Sequence, residues 1–290
     1  MAVSHVLVDG LSGLHFVNVW ATIARGEQPS RADMPFLDRN VLQQRIDVIS
    51  DTGLTGFPFP QPPLLIGKSG NLEEREKPTN LLVLKLTKQN IDKLREIANE
   101  GGAKYSRFEV VAGHIWRCAT EARRHRSEQP TNLYVRVDFR SRLNPPLPPH
   151  YFGNAIIQAA ATALSGELLR NGLGYAAGRI REAVMSITDE YVRKNLAMAT
   201  QIPDVAEFYG NPNMTITSWI NLPLHRTDFG WGKEVYMGPG LVRGDGKSFI
   251  MPLSGDGDDN SNGDDGTLRV LLCLQQQYVE AFEDFFYEHF

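Results

Sequence analysis

Two hydrophobic periods alternate along this chain. At the amino end Ala2, Val3, Val6 and Val8 read as a buried strand that runs into Asp9-Gly10. From Ser12 to Ala24 the apolar residues Leu14, Phe16, Val17, Val19, Trp20 and Ile23 follow a loose helical period, with Ser12 the expected N-cap and Gly26 the stop. Leu81–Leu86 is the next strand, and Thr87 caps a helix over Lys88–Ala98. Ser106 opens a second helix through Val110, Val111, Ile115 and Trp116 to about Arg124, and Leu133, Val135, Val137 and Phe139 then alternate as a strand. Farther on, the pattern predicts one helix from Ser165 to about Ala199 and strands at Met214–Asn221, Val235–Met237, Ser248–Leu253 and Leu268–Leu274. An amphipathic helix over Gln277–Tyr287 closes the chain.

Residues 27–80 have little periodicity and many breakers. Pro58, Pro60, Pro62 and Pro63 stand among Gly53, Gly56, Gly67 and Gly70, ahead of the charged run Glu73–Lys77. The stretch reads as a crossover, which divides the chain into residues 1–52, a linker over 53–80, and a larger unit over 81–290. Strands and helices mix without regular βα alternation, so the expected class is α+β layers rather than a doubly wound parallel sheet.

Composition narrows the range of functions. The 290 residues hold 30 basic and 34 acidic side chains, a formal charge of −4, which argues against a protein that tracks nucleic-acid phosphates. With 42% hydrophobic and 22% charged residues the chain is ordinary for a globular protein. No apolar run nears the roughly 18 residues a membrane span needs, and no basic stretch precedes the first apolar residues as in a secretion signal. Cys118 and Cys273 each lie in an apolar stretch and read as buried thiols of a reducing compartment. A cytoplasmic monomer that binds neither nucleic acid nor membrane is the expectation.

The sharpest constellation is His5-Val6-Leu7-Val8-Asp9-Gly10. An imidazole at the end of a strand can accept and return a proton near neutral pH, while a carboxylate four residues on fixes the local backbone. The plainer reading is a histidine held by hydrogen bonds in a strand. Asp228-Phe229-Gly230-Trp231-Gly232 holds no nucleophile or metal ligand, and its glycines flank a Trp in what reads as a structural turn. Asp258, Asn260 and Asn262 imitate a calcium loop, but its twelfth position is Arg269, a cation where a carboxylate belongs. No Cys or His pair has zinc spacing, and His114, on an apolar helix face, reads as a packing residue.

The HxxxDG and DFGWG stretches, in this order and a domain's length apart, resemble the paired signatures of the plant BAHD acyltransferases. Gly113–Arg117, Asp138–Arg142 and Tyr151–Asn154 look like further stretches of that family, so the resemblance covers essentially the whole chain. Ser4-His5, Leu64–Gly67 and Phe208–Asn213 look most like spermidine hydroxycinnamoyl transferases, with the shikimate and quinate transferases next. The resemblance implies a two-domain, chloramphenicol acetyltransferase-like fold. It also implies an acyl-CoA co-substrate with no bound cofactor or metal, and small-molecule partners, a hydroxycinnamoyl-CoA and a polyamine.

In that family the histidine is the general base, which assigns the role to His5, and Asp9 is an orienting residue turned away from substrate. Asp228, Phe229, Gly230, Trp231 and Gly232 shape the region near the CoA channel without direct chemistry. Thr217 and Trp219 match a Thr-Ser-Trp segment whose Thr helps hold the oxyanion and whose Trp borders the acceptor pocket. Asp204 falls where shikimate-type members carry an acceptor-clamping arginine, and an anion there suits an ammonium group. The resemblance further implies that much of the first domain is absent from these residues, with 1–52 as its carboxyl end. That leaves a second alternative, a non-catalytic remnant that binds CoA or partner proteins.

Overall fold

Helix starts leave backbone N–H groups without partners, and this chain meets them with short polar side chains at the expected sites. Thr87 accepts from the Asn90 N–H, and Ser106 accepts from the Glu109 N–H. At the first helix the cap is Asp9 rather than Ser12: its carboxylate accepts the Ser12 N–H at 3.0 Å, so the helix begins at Gly10. The computed structural model describes residues 3–43, 72–197, 210–224, 227–232, 234, 236–253, 266–288 and 290.

In chain order, the described elements begin with α1 (Gly10–Ala24), a 3-10 turn (Arg31–Asp33), α2 (Leu72–Arg75), β1 (Thr79–Leu86), α3 (Lys88–Asn99) and α4 (Arg107–Ala122). There follow β2 (Pro130–Asp138), β3 (Ile156–Leu164), α5 (Ser165–Arg170), α6 (Gly172–Met185) and α7 (Asp189–Ala197). β4 (Met214–Ser218), β5 (Lys247–Pro252), β6 (Leu268–Gln275), a 3-10 turn (Gln276–Tyr278) and α8 (Val279–Tyr287) complete them.

Three further expectations change, and one strand appears where none was expected. Among the described residues no strand forms at the amino end: residues 5–7 are a turn closed by the Leu7 N–H on the Ser4 carbonyl at 3.0 Å, and Val6 is 83% exposed. The expected helix over 165–199 divides into α5, α6 and α7, first at Gly172, whose φ of +74° interrupts a right-handed helix, and again at Ser186–Thr188. β3 was hidden by its alanines, residues of low strand propensity, yet Ile157, Ala159, Ala161 and Ala163 alternate inward. Tyr236 and Met237 form no strand: Met237 joins a small apolar cluster, and the Tyr236 ring lies under the Arg269 guanidinium, 5.2 Å from its centroid.

The six strands form one mixed sheet in the order β1-β6-β5-β4-β2-β3. β2–β4 and β4–β5 are parallel, while β1–β6, β5–β6 and β2–β3 are antiparallel. One face carries Leu84, Val135, Ile216, Ile250, Val270 and Leu272 beneath Trp116 of α4, Ile180 of α6 and Phe282 of α8, all at or near zero exposure. On the other face, Phe249, Met251, Leu271 and Cys273 meet Leu14 of α1 together with Trp219 and Leu222. This second face therefore brings the His5 end of the chain to the sheet. Cys118 and Cys273 are buried free thiols, with burial pushing the Cys118 thiol up, and buried His114 lies 2.9 Å from the Phe286 carbonyl.

Beyond the apolar core, among the described residues, stands a fully desolvated ion pair. Arg123, at the end of α4, meets Asp245 at 2.7 Å with side-chain exposures of 1% and 2%. Asp245 also accepts the Asn211 and Gln275 backbone N–H groups at 2.8 and 3.0 Å, so it ties β6 to the start of β4 and β5. Removing one member of such a pair strands the other charge. Asp245→Ala is expected to lower stability by about 3–5 kcal/mol in urea unfolding followed by circular dichroism, and a loss below ~1 kcal/mol would show that the pair is dispensable.

Candidate active site

His5 stands exposed on the turn that precedes α1. The turn is held from outside by side chains. Asn154 donates through Nδ2 to the His5 carbonyl at 2.6 Å and to the Val6 carbonyl at 3.1 Å, and Arg39 donates to the Leu7 carbonyl at 2.9 Å. Among the described residues the imidazole itself makes no hydrogen bond, so the held backbone fixes only where the ring is rooted.

Asp9 faces the interior and is 2% exposed. One carboxylate oxygen accepts the Ser12 N–H; the other accepts the Ala155 N–H at 2.9 Å and pairs with Arg140 at 2.8 Å. Burial by itself would raise the carboxyl, but the Arg140 bond and the two backbone N–H groups carry it below the usual carboxylate range. Arg140 also meets Asp138 at 2.9 Å and donates to the Ser12 hydroxyl and the Gly153 carbonyl. Ser12 completes the knot by donating to the Gly153 carbonyl at 3.0 Å and accepting the Gly153 N–H at 3.1 Å.

Gly10 is small for a reason of packing. A Cβ there would lie 3.2 Å from Leu222 Cδ1 and 3.9 Å from Trp219 Nε1, which brings the indole beside the first turn of α1. Thr217, half-buried near the end of β4, lies two residues before Trp219 and so shares its side of the strand, opposite Ile216 in the core. Phe249 packs edge-on against Trp219 at 5.6 Å.

The Asp228 turn is tied to the other half of α1. Asn18 accepts from the Thr227 hydroxyl at 2.6 Å, Arg25 donates to the Asp228 carbonyl, and Trp20 meets Phe229 edge-on at 5.2 Å. The Asp228 carboxylate accepts the Gly230 and Gly232 N–H groups at 2.7 and 3.1 Å, and both glycines hold φ near +100°, which a side chain would resist. Trp231 projects from the turn, 92% exposed. α1 spans 15 residues, about 22 Å at 1.5 Å per residue, so the two motifs sit at opposite ends of one helix.

A cleft of about 330 Å³ runs along α1 past Leu11, His15, Asn18, Thr22 and His150, and an apolar hollow of about 350 Å³ lies apart from it, over Leu81, Val83 and Leu241. Neither is lined by His5. Asp204, like the 254–265 stretch, lies outside the described residues. Among the described residues no group of three or more His, Cys, Asp and Glu side chains could hold a metal ion, and no helix is long and apolar enough to cross a membrane. Arg140, Asn154 and Ser12 were not singled out as site residues in the sequence; the first two lie in stretches that resemble the family, which was the only signal, and Arg39 had none.

Solved structures share this architecture. The apo form of TRI101 from F. graminearum superposes with a TM-score of 0.73 at 16% identity, over 96% of this chain and 62% of that one. The same protein has been solved with Coenzyme A and T-2 mycotoxin together. At this identity the likeness shows a shared fold. Residues 1–289 match the family model described as the Transferase family, and the chain belongs to that family, the BAHD acyltransferases.

Its relatives include the hydroxycinnamoyl-CoA:piscidic acid hydroxycinnamoyltransferase of Actaea racemosa, 39% identical over 99% of this chain and 66% of its own length. The shikimate O-hydroxycinnamoyltransferase of Nicotiana tabacum is 36% identical, over 99% and 66%. A hydroxycinnamoyl-CoA:5-hydroxyanthranilate N-hydroxycinnamoyltransferase of Avena sativa is 36% identical, over 97% and 63%. The chain spans just under two thirds of the length of these relatives.

The Asp9 knot has a pH signature. Because the folded state depresses its carboxyl, Asp9 contributes stability at pH values above the ordinary carboxylate range, about 4, and that contribution is lost as pH falls through the depressed value. Asp9→Asn is expected to lower stability by about 2–4 kcal/mol at pH 7 and to flatten its decline below pH ~4. Urea midpoints measured from pH 2 to 7 check both; an unaltered acid slope in the variant would assign the loss to other carboxylates.

Proposed function

We propose that this chain transfers a hydroxycinnamoyl group from its CoA thioester to a polyamine nitrogen, with His5 as general base and no covalent acyl-enzyme. The observation that carries this reading is the exposed imidazole on a turn gripped by Asn154, Arg39 and the Asp9–Arg140 knot, beside the sheet face that holds Trp219. A thioester carbonyl is already electrophilic, so alignment of the two substrates and removal of one proton supply most of the rate.

In the proposed step the acceptor nitrogen attacks the thioester carbon while His5 takes its proton. The tetrahedral oxyanion is met by the Thr217 hydroxyl, a contact of a type worth about 3 kcal/mol when well aligned. Collapse breaks the carbon–sulfur bond, and the imidazolium returns its proton to the departing thiolate. In this reading Asp9 orients the turn, Trp219 borders the acceptor, and the Asp228–Gly232 turn braces the far end of α1. Residues 1–52 belong with the end of a first domain, joined through 53–80 to a second over 81–290.

The polyamine rests on Asp204. An alkylamine arrives protonated near neutral pH and must lose one proton before attack, while its distal ammonium groups call for acidic partners. The nitrogen-acylating name of the Avena relative agrees with an amine acceptor. A second reading, transfer to a hydroxyl of shikimate or quinate, is favoured by Thr217 and by the carboxylate acceptors in the names of the Actaea and Nicotiana relatives.

Turnover of p-coumaroyl-CoA, followed by free thiol release with spermidine, shikimate or quinate as acceptor, separates the two. His5→Ala is expected to lower kcat by about 10²–10⁴-fold with CoA binding retained, and unchanged product formation would remove His5 from the chemistry. Asp204→Arg is expected to raise the KM for spermidine at least tenfold and to leave that for p-coumaroyl-CoA within twofold. Equal spermidine KM values in both proteins would sink the ammonium contact and leave the hydroxyl acceptor as the better reading.

A further inference from the structure

We infer that Asn154 is the positioning residue through which the buried Asp9 knot sets the place of the His5 imidazole. This rests on the reading of His5 as the base. The backbone on both sides of Asn154 is fixed by the knot: the Ala155 N–H binds Asp9, and the Gly153 N–H and carbonyl bind Ser12 and Arg140. The Phe152 N–H is taken by the Phe36 carbonyl at 2.9 Å, and the Ala155 carbonyl by the Phe139 N–H at 2.9 Å. From that anchored stem the side chain reaches back to two successive carbonyls, those of His5 and Val6. Asp9 and His5 are also joined through the main chain, where Val8 is buried but the Val6 and Leu7 side chains are exposed, and Arg39 reaches only the Leu7 carbonyl. Among the described residues the Asn154 amide is what holds the His5 carbonyl itself.

The chemistry of the side chain narrows the choice of residue. Two carbonyl acceptors need two N–H donors on one atom, which a primary amide supplies and a carboxylate or hydroxyl does not. The other end of the amide gains nothing: Asn154 Oδ1 is buried and receives no hydrogen bond among the described residues. A buried acceptor left unmet is a cost, and it is tolerated where the group's other contacts serve a purpose. Since none of the described residues hydrogen-bonds the ring, a small drift of the turn displaces the base, and near-ångström errors of that kind cost about 10²-fold in rate.

Asn154→Asp keeps the shape and removes both donors; Asn154→Ala removes the side chain. In each, hydrogen exchange of the Leu7 amide, whose bond to Ser4 closes the turn, is expected to quicken at least tenfold with the melting midpoint unchanged. The kcat for p-coumaroyl-CoA is expected to fall at least thirtyfold while its KM stays within twofold, a split that general loosening of the fold would not give. Leu7 exchange within twofold of the parent in both variants overturns the inference, whether or not the chain turns over. So does a kcat within twofold of the parent when His5→Ala has abolished activity. Should His5→Ala retain full activity, the base assignment falls instead, and Leu7 exchange still decides whether Asn154 holds the turn.

Discussion

A carboxylate with almost no access to water is costly to bury, and it persists only where its surroundings meet both oxygens. Asp9 is met three times over, by a guanidinium and by two backbone N–H groups, one of them at the helix start that it caps. Burial opposes its charge, and the directed bonds prevail. The value of this arrangement lies less in stability, where a packed apolar substitute often does as well, than in fixing one relative placement of α1, the 151–155 segment and the Asp138–Arg140 corner. Whatever His5 does, it does from a platform defined by that placement.

α1 gives the arrangement its reach. Its first turn presses on Trp219 and Leu222, its middle inserts Leu14 into the second face of the sheet, and its last turns hold Thr227, Asp228 and Phe229. The two motifs far apart in the chain are therefore the two ends of one rigid rod. This accounts for a glycine-rich turn with no reactive group beside it. A loose turn there would free the helix end opposite the imidazole, and the error would be carried along the rod to His5.

Much of this was readable beforehand. The caps at Thr87 and Ser106, five of the strands and the closing helix follow from period and local chemistry, because each is decided within a few residues. What escaped was decided at a distance. Asp9 displaces Ser12 as the cap because Arg140 and the Ala155 N–H need the same carboxylate, and no local pattern announces partners so remote. β3 looked unlike a strand because its buried face is alanine, small enough for α6 to lie close. The amino-terminal alternation looked like a strand, but its backbone groups are claimed by the side chains of Asn154 and Arg39. Of the candidate site, the family likeness points to His5, Asp9 and the Trp219 segment; it gives no role to the side chains that hold the turn, since clamps are made of ordinary Asn, Ser and Arg.

The order of the sheet bears on how the protein comes into being. β1 pairs with β6, residue 86 with residue 268, so the strand that is made first has its neighbour far along the chain. Until β6 has been made, Leu82, Leu84 and Leu86 have no ladder to join and present a bare apolar edge. Such distant pairing slows closure and lengthens exposure to other nascent chains. Expression at low temperature, or with helper proteins that shield greasy segments, thus has a structural rationale in the position of a single strand.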